Sequence, residues 1–195
     1  ANTKIKGGTG DGVRVTDTVK GGSTVNVTDH TDITAGEDGV DLSGIGTATV
    51  ARNEIKDATT GIRVANSGTV TIGGATPADG NVIGTVDGVE YGIVASSIDD
   101  LDVLNNQMFG NSVVGIDVTN SDGALIEDNN VQDFATGISV KDSGSNVRIL
   151  GNTVNNSDTG ILADNTFNAW IRDNDVTNSS VVGIHVKNSN GTNYS

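Results

Sequence analysis

Three aspartates in one short segment are the residues best suited to hold a metal ion. Asp99, Asp100 and Asp102 lie within four consecutive positions, and carboxylate oxygens are ligands that calcium prefers. Calcium needs roughly six to eight oxygen ligands, so turn carbonyls would have to complete the shell. The sequence therefore predicts either no cofactor or a Ca²⁺ ion at this segment.

No catalytic set is evident among the titratable residues. The two histidines, His30 and His185, lie more than six repeats apart in the pattern described below. Asp41 and Asp117 occupy equivalent repeat positions about three repeats apart, too far to form the carboxylate pair of a glycosidase. Arg63 lies between them and could bind the carboxylate of a uronic acid, although a solvated surface charge is the alternative. Arg63 and Asp117 are therefore predicted as contact residues, and no catalytic residue is predicted.

A further contact surface is predicted from period-2 alternation in the segments that precede a repeated asparagine. The outward residues expected to bind a ligand or partner are Leu104, Leu125, Arg148, Leu150, Trp170 and Arg172. An exposed apolar stripe with the only tryptophan indicates a partner surface or a platform on which a sugar ring stacks. The alternatives are that a neighbouring segment of a larger protein covers it, or that the tryptophan is simply tolerated.

A repeat of 22 or 23 residues must position these side chains. The pattern Gly-apolar-x-apolar begins at Gly12, Gly39, Gly61, Gly92, Gly115, Gly137, Gly160 and Gly183. A second column, Asn-x-apolar, runs in phase with it at Asn53, Asn81, Asn106, Asn129, Asn152 and Asn174. Each repeat holds three short strand-like segments, which can bury their apolar faces only by stacking on the next repeat.

The prediction is an all-β, right-handed parallel β-helix of about eight coils with a ladder of stacked asparagines. We expect the repeated asparagines and glycines to adopt the left-handed backbone conformation at sharp bends. Residues 1–195 are predicted to form one domain, excised from a longer protein, with a loop insertion at 73–80. Residues 16–38 fit the repeat poorly, and their register is left open.

The composition argues against several classes of binding partner and of covalent or metal cross-link. The formal net charge is −14, which argues against nucleic acid and anionic membranes, since phosphate contacts need clustered lysine and arginine. The chain has no cysteine, and this excludes disulfides and thiolate metal sites. No segment is apolar enough to insert into a membrane. An extracellular or cell-surface location is expected.

The glycine and asparagine columns resemble the parallel β-helix repeat family, which includes pectate lyases, polygalacturonases and alginate epimerases. Segments 71–74 and 80–84 are similar to repeats of large secreted bacterial surface proteins. The resemblance covers residues 12–186 and implies the fold. The catalytic motifs are incomplete: Asp99-Asp100 matches one polygalacturonase motif, and residues 170–173 resemble the pectate lyase signature Trp-Ile-Asp-His without its histidine.

The first functional prediction is a non-catalytic structural or adhesive module of a secreted or surface-anchored bacterial protein. Polysaccharides and other surface proteins are the expected partners. A polysaccharide-active protein (lyase, epimerase or hydrolase) is one alternative. A self-assembling fibre or surface-layer component, joined end to end or side by side, is the other.

Overall fold

The computed structural model describes residues 3–18, 22–29, 32–85 and 88–194. Within these residues the chain forms short β-strands and one 3-10 turn, Pro77–Asp79. The strands make three parallel sets of eight, which we call sheets A, B and C.

Sheet A contains β1 (Lys4–Lys6), β4 (Asp32–Thr34), β7 (Glu54–Lys56), β10 (Val82–Ile83), the first part of β13 (Gln107–Thr119), β15 (Asn130–Gln132), β18 (Thr153–Asn155) and β21 (Asp175–Thr177). Sheet B contains β2 (Val13–Thr16), β5 (Asp38–Ser43), β8 (Thr60–Ala65), β11 (Val89–Ser96), the second part of β13, β16 (Thr136–Lys141), β19 (Thr159–Asp164) and β22 (Val182–Lys187). Sheet C contains β3 (Thr24–Thr28), β6 (Thr47–Ala51), β9 (Thr69–Gly73), β12 (Asp100–Leu104), β14 (Leu125–Glu127), β17 (Arg148–Leu150), β20 (Trp170–Arg172) and β23 (Asn193–Tyr194).

The chain passes through sheets A, B and C in turn and then repeats the circuit. Every strand pairs in parallel with its equivalent in the next coil, so that Ile62, Ile93 and Ile116 stack directly in sheet B. Seven stacking steps at about 4.8 Å give a rod roughly 34 Å long. The predicted parallel β-helix is confirmed.

The open register of residues 16–38 is settled for its described parts, 16–18, 22–29 and 32–38, by the pairing of β3 and β4; residues 19–21 and 30–31 lie outside the described residues. Val27 pairs with Val50, and Ile33 pairs with Ile55. The connection 17–23 between β2 and β3 is longer than the corresponding corner, 44–46, between β5 and β6. The extra residues in this connection explain most of the irregular spacing of the first two column glycines.

The core is built from stacked aliphatic side chains, one from each coil. Ile62, Ile93, Ile116 and Ile138 are fully buried, as are the sheet C residues Ile126 and Ile149. β-Branched side chains suit this arrangement because they pack closely against copies of themselves one strand away. Truncating one of these side chains would leave a cavity, because the hydrogen-bonded coils on either side cannot move together to fill it.

The asparagine ladder is confirmed, but its backbone geometry differs from the prediction. Asn106 donates through Nδ2 to Asn129 Oδ1 at 3.0 Å, and Asn129 donates in the same way to Asn152 at 3.0 Å. The left-handed residue at this corner is the one before the ladder asparagine, as in Asn105 (φ 56°) and Asp128 (φ 55°). The ladder asparagine is therefore selected for its buried amide bonds and not for its backbone conformation.

Seven of the eight column glycines are required by space rather than by positive φ, which corrects the second prediction; Gly183, in the last coil, has room for a Cβ atom. None of the eight has a left-handed backbone. A Cβ atom at Gly61 would lie 2.6 Å from Gly92 O and closer still to a methyl of Ile83. The strand of one coil thus passes so near the next coil that a side chain has no room.

A second ladder, formed by hydroxyl groups, was not predicted. Ser121 Oγ accepts from Ile98 N–H at 3.2 Å, and Ser143 Oγ accepts from Ser121 N–H at 3.2 Å. Thr166 N–H donates to Ser189 Oγ at 3.0 Å. The sequence signal is a serine or threonine six residues after the column glycine, where the chain turns from sheet B to sheet C.

Candidate functional site

The predicted contact residues of sheet C lie on its outer face in two columns. One column stacks Asp102, Leu125, Arg148 and Trp170, and the other stacks Leu104, Glu127, Leu150 and Arg172. Apolar and charged residues therefore alternate, and the expected apolar stripe is a zigzag across both columns. The three leucines are half-buried, whereas Trp170 is 45% exposed. The exposed apolar surface of this face is thus concentrated at Trp170.

Trp170 lies between two arginines. Arg148 is its neighbour one coil earlier in sheet C. Arg172 follows it on the same outer face, with the guanidinium carbon 4.4 Å from the ring centroid. This distance is within the range of a cation–π interaction, which holds the indole in one orientation.

A depression of about 430 Å³ opens beside Trp170, on the side where the chain enters sheet C. Its lining residues are Gly123, Asn146, Arg148, Asn168 and Trp170. Gly123, Asn146 and Asn168 occupy one corner in three successive coils and all have a left-handed backbone, with φ of 70°, 64° and 53°. A Cβ atom at Gly123 would meet nothing within 4 Å, so the missing side chain helps to open the depression.

Within the described residues, neither arginine at Trp170 forms an ion pair with a carboxylate. Seven other basic residues do: Lys4, Arg14, Arg52, Lys56, Arg63, Lys141 and Lys187. In the same part of the chain the Arg148 guanidinium makes no hydrogen bond, and buried Arg172 Nε has no hydrogen-bond partner. Burial and the neighbouring Asp100 raise the pKa of Asp102, although attraction to Arg148 opposes the shift. Trp170 is thus flanked by two cationic side chains in a chain of net charge −14, and the nearest acidic residue in each arginine's own column, Asp102 for Arg148 and Glu127 for Arg172, lies two coils away.

Three residues that line the depression, and one exposed aromatic residue close to Trp170 in sequence, were missed by the sequence analysis. Gly123, Asn146 and Asn168 lie at a corner, where period-2 alternation gives no direction. Phe167 is 44% exposed and lies three residues before Trp170. The available signal is the grouping of two of the six aromatic residues of the chain within four positions.

The contact residues predicted on sheet B lie elsewhere and apart from each other. Arg63 donates to both carboxylate oxygens of Asp38, at 2.7 and 3.1 Å, and to Thr60 Oγ1 at 2.8 Å. Asp117 lies two coils further on, 3.5 Å from Lys141 Nζ. Two of the three Arg63 guanidinium nitrogens, Nε and Nη2, are engaged internally, and Arg63 and Asp117 lie apart, so this pair does not form a preorganised receptor for a carboxylate.

The three aspartates proposed for calcium do not converge. Asp100 and Asp102 project side by side from the outer face of β12, about 6–7 Å apart along the strand. Asp99 lines a different depression with Asp122 and Asp142. Among the described residues no group of three or more histidine, cysteine or acidic side chains is arranged to hold a metal ion.

Comparison with known families adds an assignment to this geometry. A family model described as periplasmic copper-binding protein (NosD) matches residues 18–194. The chain belongs to this NosD family. The assignment agrees with a parallel β-helix module of an exported, envelope-associated protein, and it does not extend the resemblance to pectate lyases. Searches of curated proteins and of solved structures gave no match. No helix in the described segments is long and apolar enough to cross a membrane.

The family description overturns the prediction of no cofactor or calcium, because it points to copper. Copper prefers nitrogen and sulfur ligands. The chain has no cysteine, Met108 is fully buried, and His185 is the single histidine within the described segments. His30 lies outside the described residues. The side chains that the structure describes therefore do not fit a copper centre.

Proposed function

We propose that this NosD-family chain is a non-catalytic adhesive module, a rod that binds a partner through the outer face of sheet C around Trp170. The observation that carries the proposal is the exposed tryptophan, held by Arg172 and adjoining an open depression. Large exposed aromatics flanked by arginine are typical of contact surfaces, because their burial on binding yields much energy for little entropy.

The rod supports such a surface by fixing its spacing. Two ladders of buried hydrogen bonds cross the coils, one of asparagines and one of hydroxyls. Arg148 and Trp170 are therefore held at the distance of neighbouring strands, about 4.8 Å. A surface preorganised in this way loses little conformational entropy when it binds.

The test is a binding panel of immobilised polysaccharides and envelope proteins, read by biolayer interferometry. The variants are Trp170→Ala and a matched control, Val181→Ala, which removes a side chain that is 76% exposed at another corner. We expect Trp170→Ala to lose about tenfold or more in affinity, as for a central aromatic contact, and Val181→Ala to bind as the wild type does. Equal binding by all three proteins would refute the contact surface.

A further inference from the structure

We infer that the depression beside Trp170 is a subsite for an acidic saccharide, a sugar ring that carries a carboxylate. This inference rests on the proposed adhesive function and adds the chemical class of the ligand. It follows from three features that meet at the depression: an aromatic platform, a guanidinium without a hydrogen-bond partner among the described residues, and two side-chain amides of which one makes no hydrogen bond there and the other a single long one.

The aromatic platform is the indole of Trp170. Arg172, two residues after Trp170 on the strand, lies over the indole ring. The depression lies on the opposite side along the chain, towards Asn168, which comes two residues before Trp170. The ring therefore contributes to the wall of the depression while Arg172 restrains its rotation. A pyranose presents an apolar face of C–H groups that stacks on such a ring, and a small inorganic anion does not.

The charge of the ligand is inferred from Arg148. Its guanidinium lines the depression and is exposed, and its donors have no partner within the described residues. Guanidinium binds a carboxylate through two parallel hydrogen bonds. Asp102 attracts Arg148 only at longer range, without a hydrogen bond or ion pair. Since carboxylates outnumber basic side chains 25 to 11, a guanidinium whose donors are left without partners here favours an acidic ligand over a neutral one.

The remaining polar groups fit hydroxyl groups of a sugar. The side-chain amide of Asn168 makes no hydrogen bond in the described structure. The side-chain amide of Asn146 makes only a long bond, 3.4 Å, to Ser145 Oγ. Both backbones are fixed at the same corner, one coil apart. The lining residues span three coils, about 10 Å along the rod, which exceeds the size of a single free anion. A peptide made only of acidic residues would satisfy Arg148 but has no ring to stack on Trp170.

Isothermal titration with two defined uronates, oligogalacturonate and oligomannuronate, tests the inference. The comparison ligands are methyl-esterified oligogalacturonate, which keeps the rings and loses the charge, and poly-glutamate. The variants are Arg148→Gln and Lys6→Gln, the second making the same charge change at an exposed lysine in the first coil. Circular dichroism of each variant checks that the fold is retained.

We expect at least one uronate to bind. Arg148→Gln should bind roughly tenfold more weakly, as for loss of a charged hydrogen bond, and Lys6→Gln should bind as the wild type does. The methyl ester should bind more weakly than the acid. Binding of neither uronate overturns the inference, as does poly-glutamate binding as tightly as the uronate. If acid and ester bind equally and Trp170→Ala abolishes both, the acidic class is wrong while the contact surface stands.

Discussion

Replacing Asn129 by alanine should reveal how much the asparagine ladder contributes to stability. Its Nδ2 group donates to Val103 O, Glu127 O and Asn152 Oδ1 at 2.8–3.0 Å. Its Oδ1 accepts from the backbone N–H and from Nδ2 of Asn106, at 2.9 and 3.0 Å. Asn129 is 1% exposed, so water cannot easily replace these bonds.

The main cost comes from groups left without partners. The Asn106 N–H loses its acceptor, whereas Asn106 Nδ2 keeps bonds to Ile72 O and Leu104 O. A buried polar group without a partner costs about 1–3 kcal/mol. With one donor orphaned and two carbonyls, Val103 O and Glu127 O, each losing a hydrogen bond, we expect a loss of about 2–5 kcal/mol in the free energy of unfolding.

Urea unfolding followed by circular dichroism measures this loss. The matched control is Asn130→Ala, which removes the next side chain along the strand; it is half-buried and accepts one bond, from Gln132 at 3.0 Å. The control should change stability by less than about 0.5 kcal/mol. Hydrogen exchange at the Asn106 amide should accelerate in Asn129→Ala. A loss below about 1 kcal/mol, or one equal to that of the control, would refute the ladder as a source of stability.

Three further predictions concern other parts of the rod. Gly137→Ala should destabilise the protein by roughly 1–3 kcal/mol, because its Cβ would lie 2.7 Å from Gly160 O. The control Gly10→Ala has open space around the new Cβ and should leave stability nearly unchanged. Equal melting temperatures for the two variants would contradict the steric explanation. Asp102→Asn should raise the melting temperature at neutral pH. The pKa of Asp102 is raised in the folded protein, so the wild type loses stability as the pH rises from the unfolded pKa of this group through its folded pKa. The gain should vanish below the usual carboxyl pKa of about 3.9, and a gain that persists in acid would argue against the electrostatic cause. Titration with Cu(II) should give only weak binding, which His185→Ala weakens further, and a tight site that survives the change would show that other residues bind copper.

The sequence predicts the fold because one physical rule is repeated in every coil. Alternation correctly places Val103 and Ile126 inside and Leu125 outside, since neighbouring coils impose the same inward face. The role of the glycines is not predictable in the same way. The glycines are needed because two neighbouring coils approach closely, and the sequence of a single coil does not reveal how close that approach is.

The candidate site is predicted only in part, because its two halves obey different rules. Trp170 and Arg148 follow from strand alternation. The depression does not, because Asn146 and Asn168 belong to a corner whose direction is set by left-handed residues. The engagement of Arg63 by Asp38 likewise depends on stacking between residues 25 positions apart. The calcium prediction is wrong because an extended strand spaces its side chains along its length, so residues that are close in sequence do not gather around one ion.

The fluorescence of Trp170 tests the central claim most directly, since it is the only tryptophan in the chain. The partner that binds in the panel should be titrated into the protein while the emission and acrylamide quenching are recorded. The proposal predicts a saturable blue shift and protection from quenching, with the same midpoint as the binding curve. A partner that binds with full affinity and leaves the emission and quenching of Trp170 unchanged would contradict it.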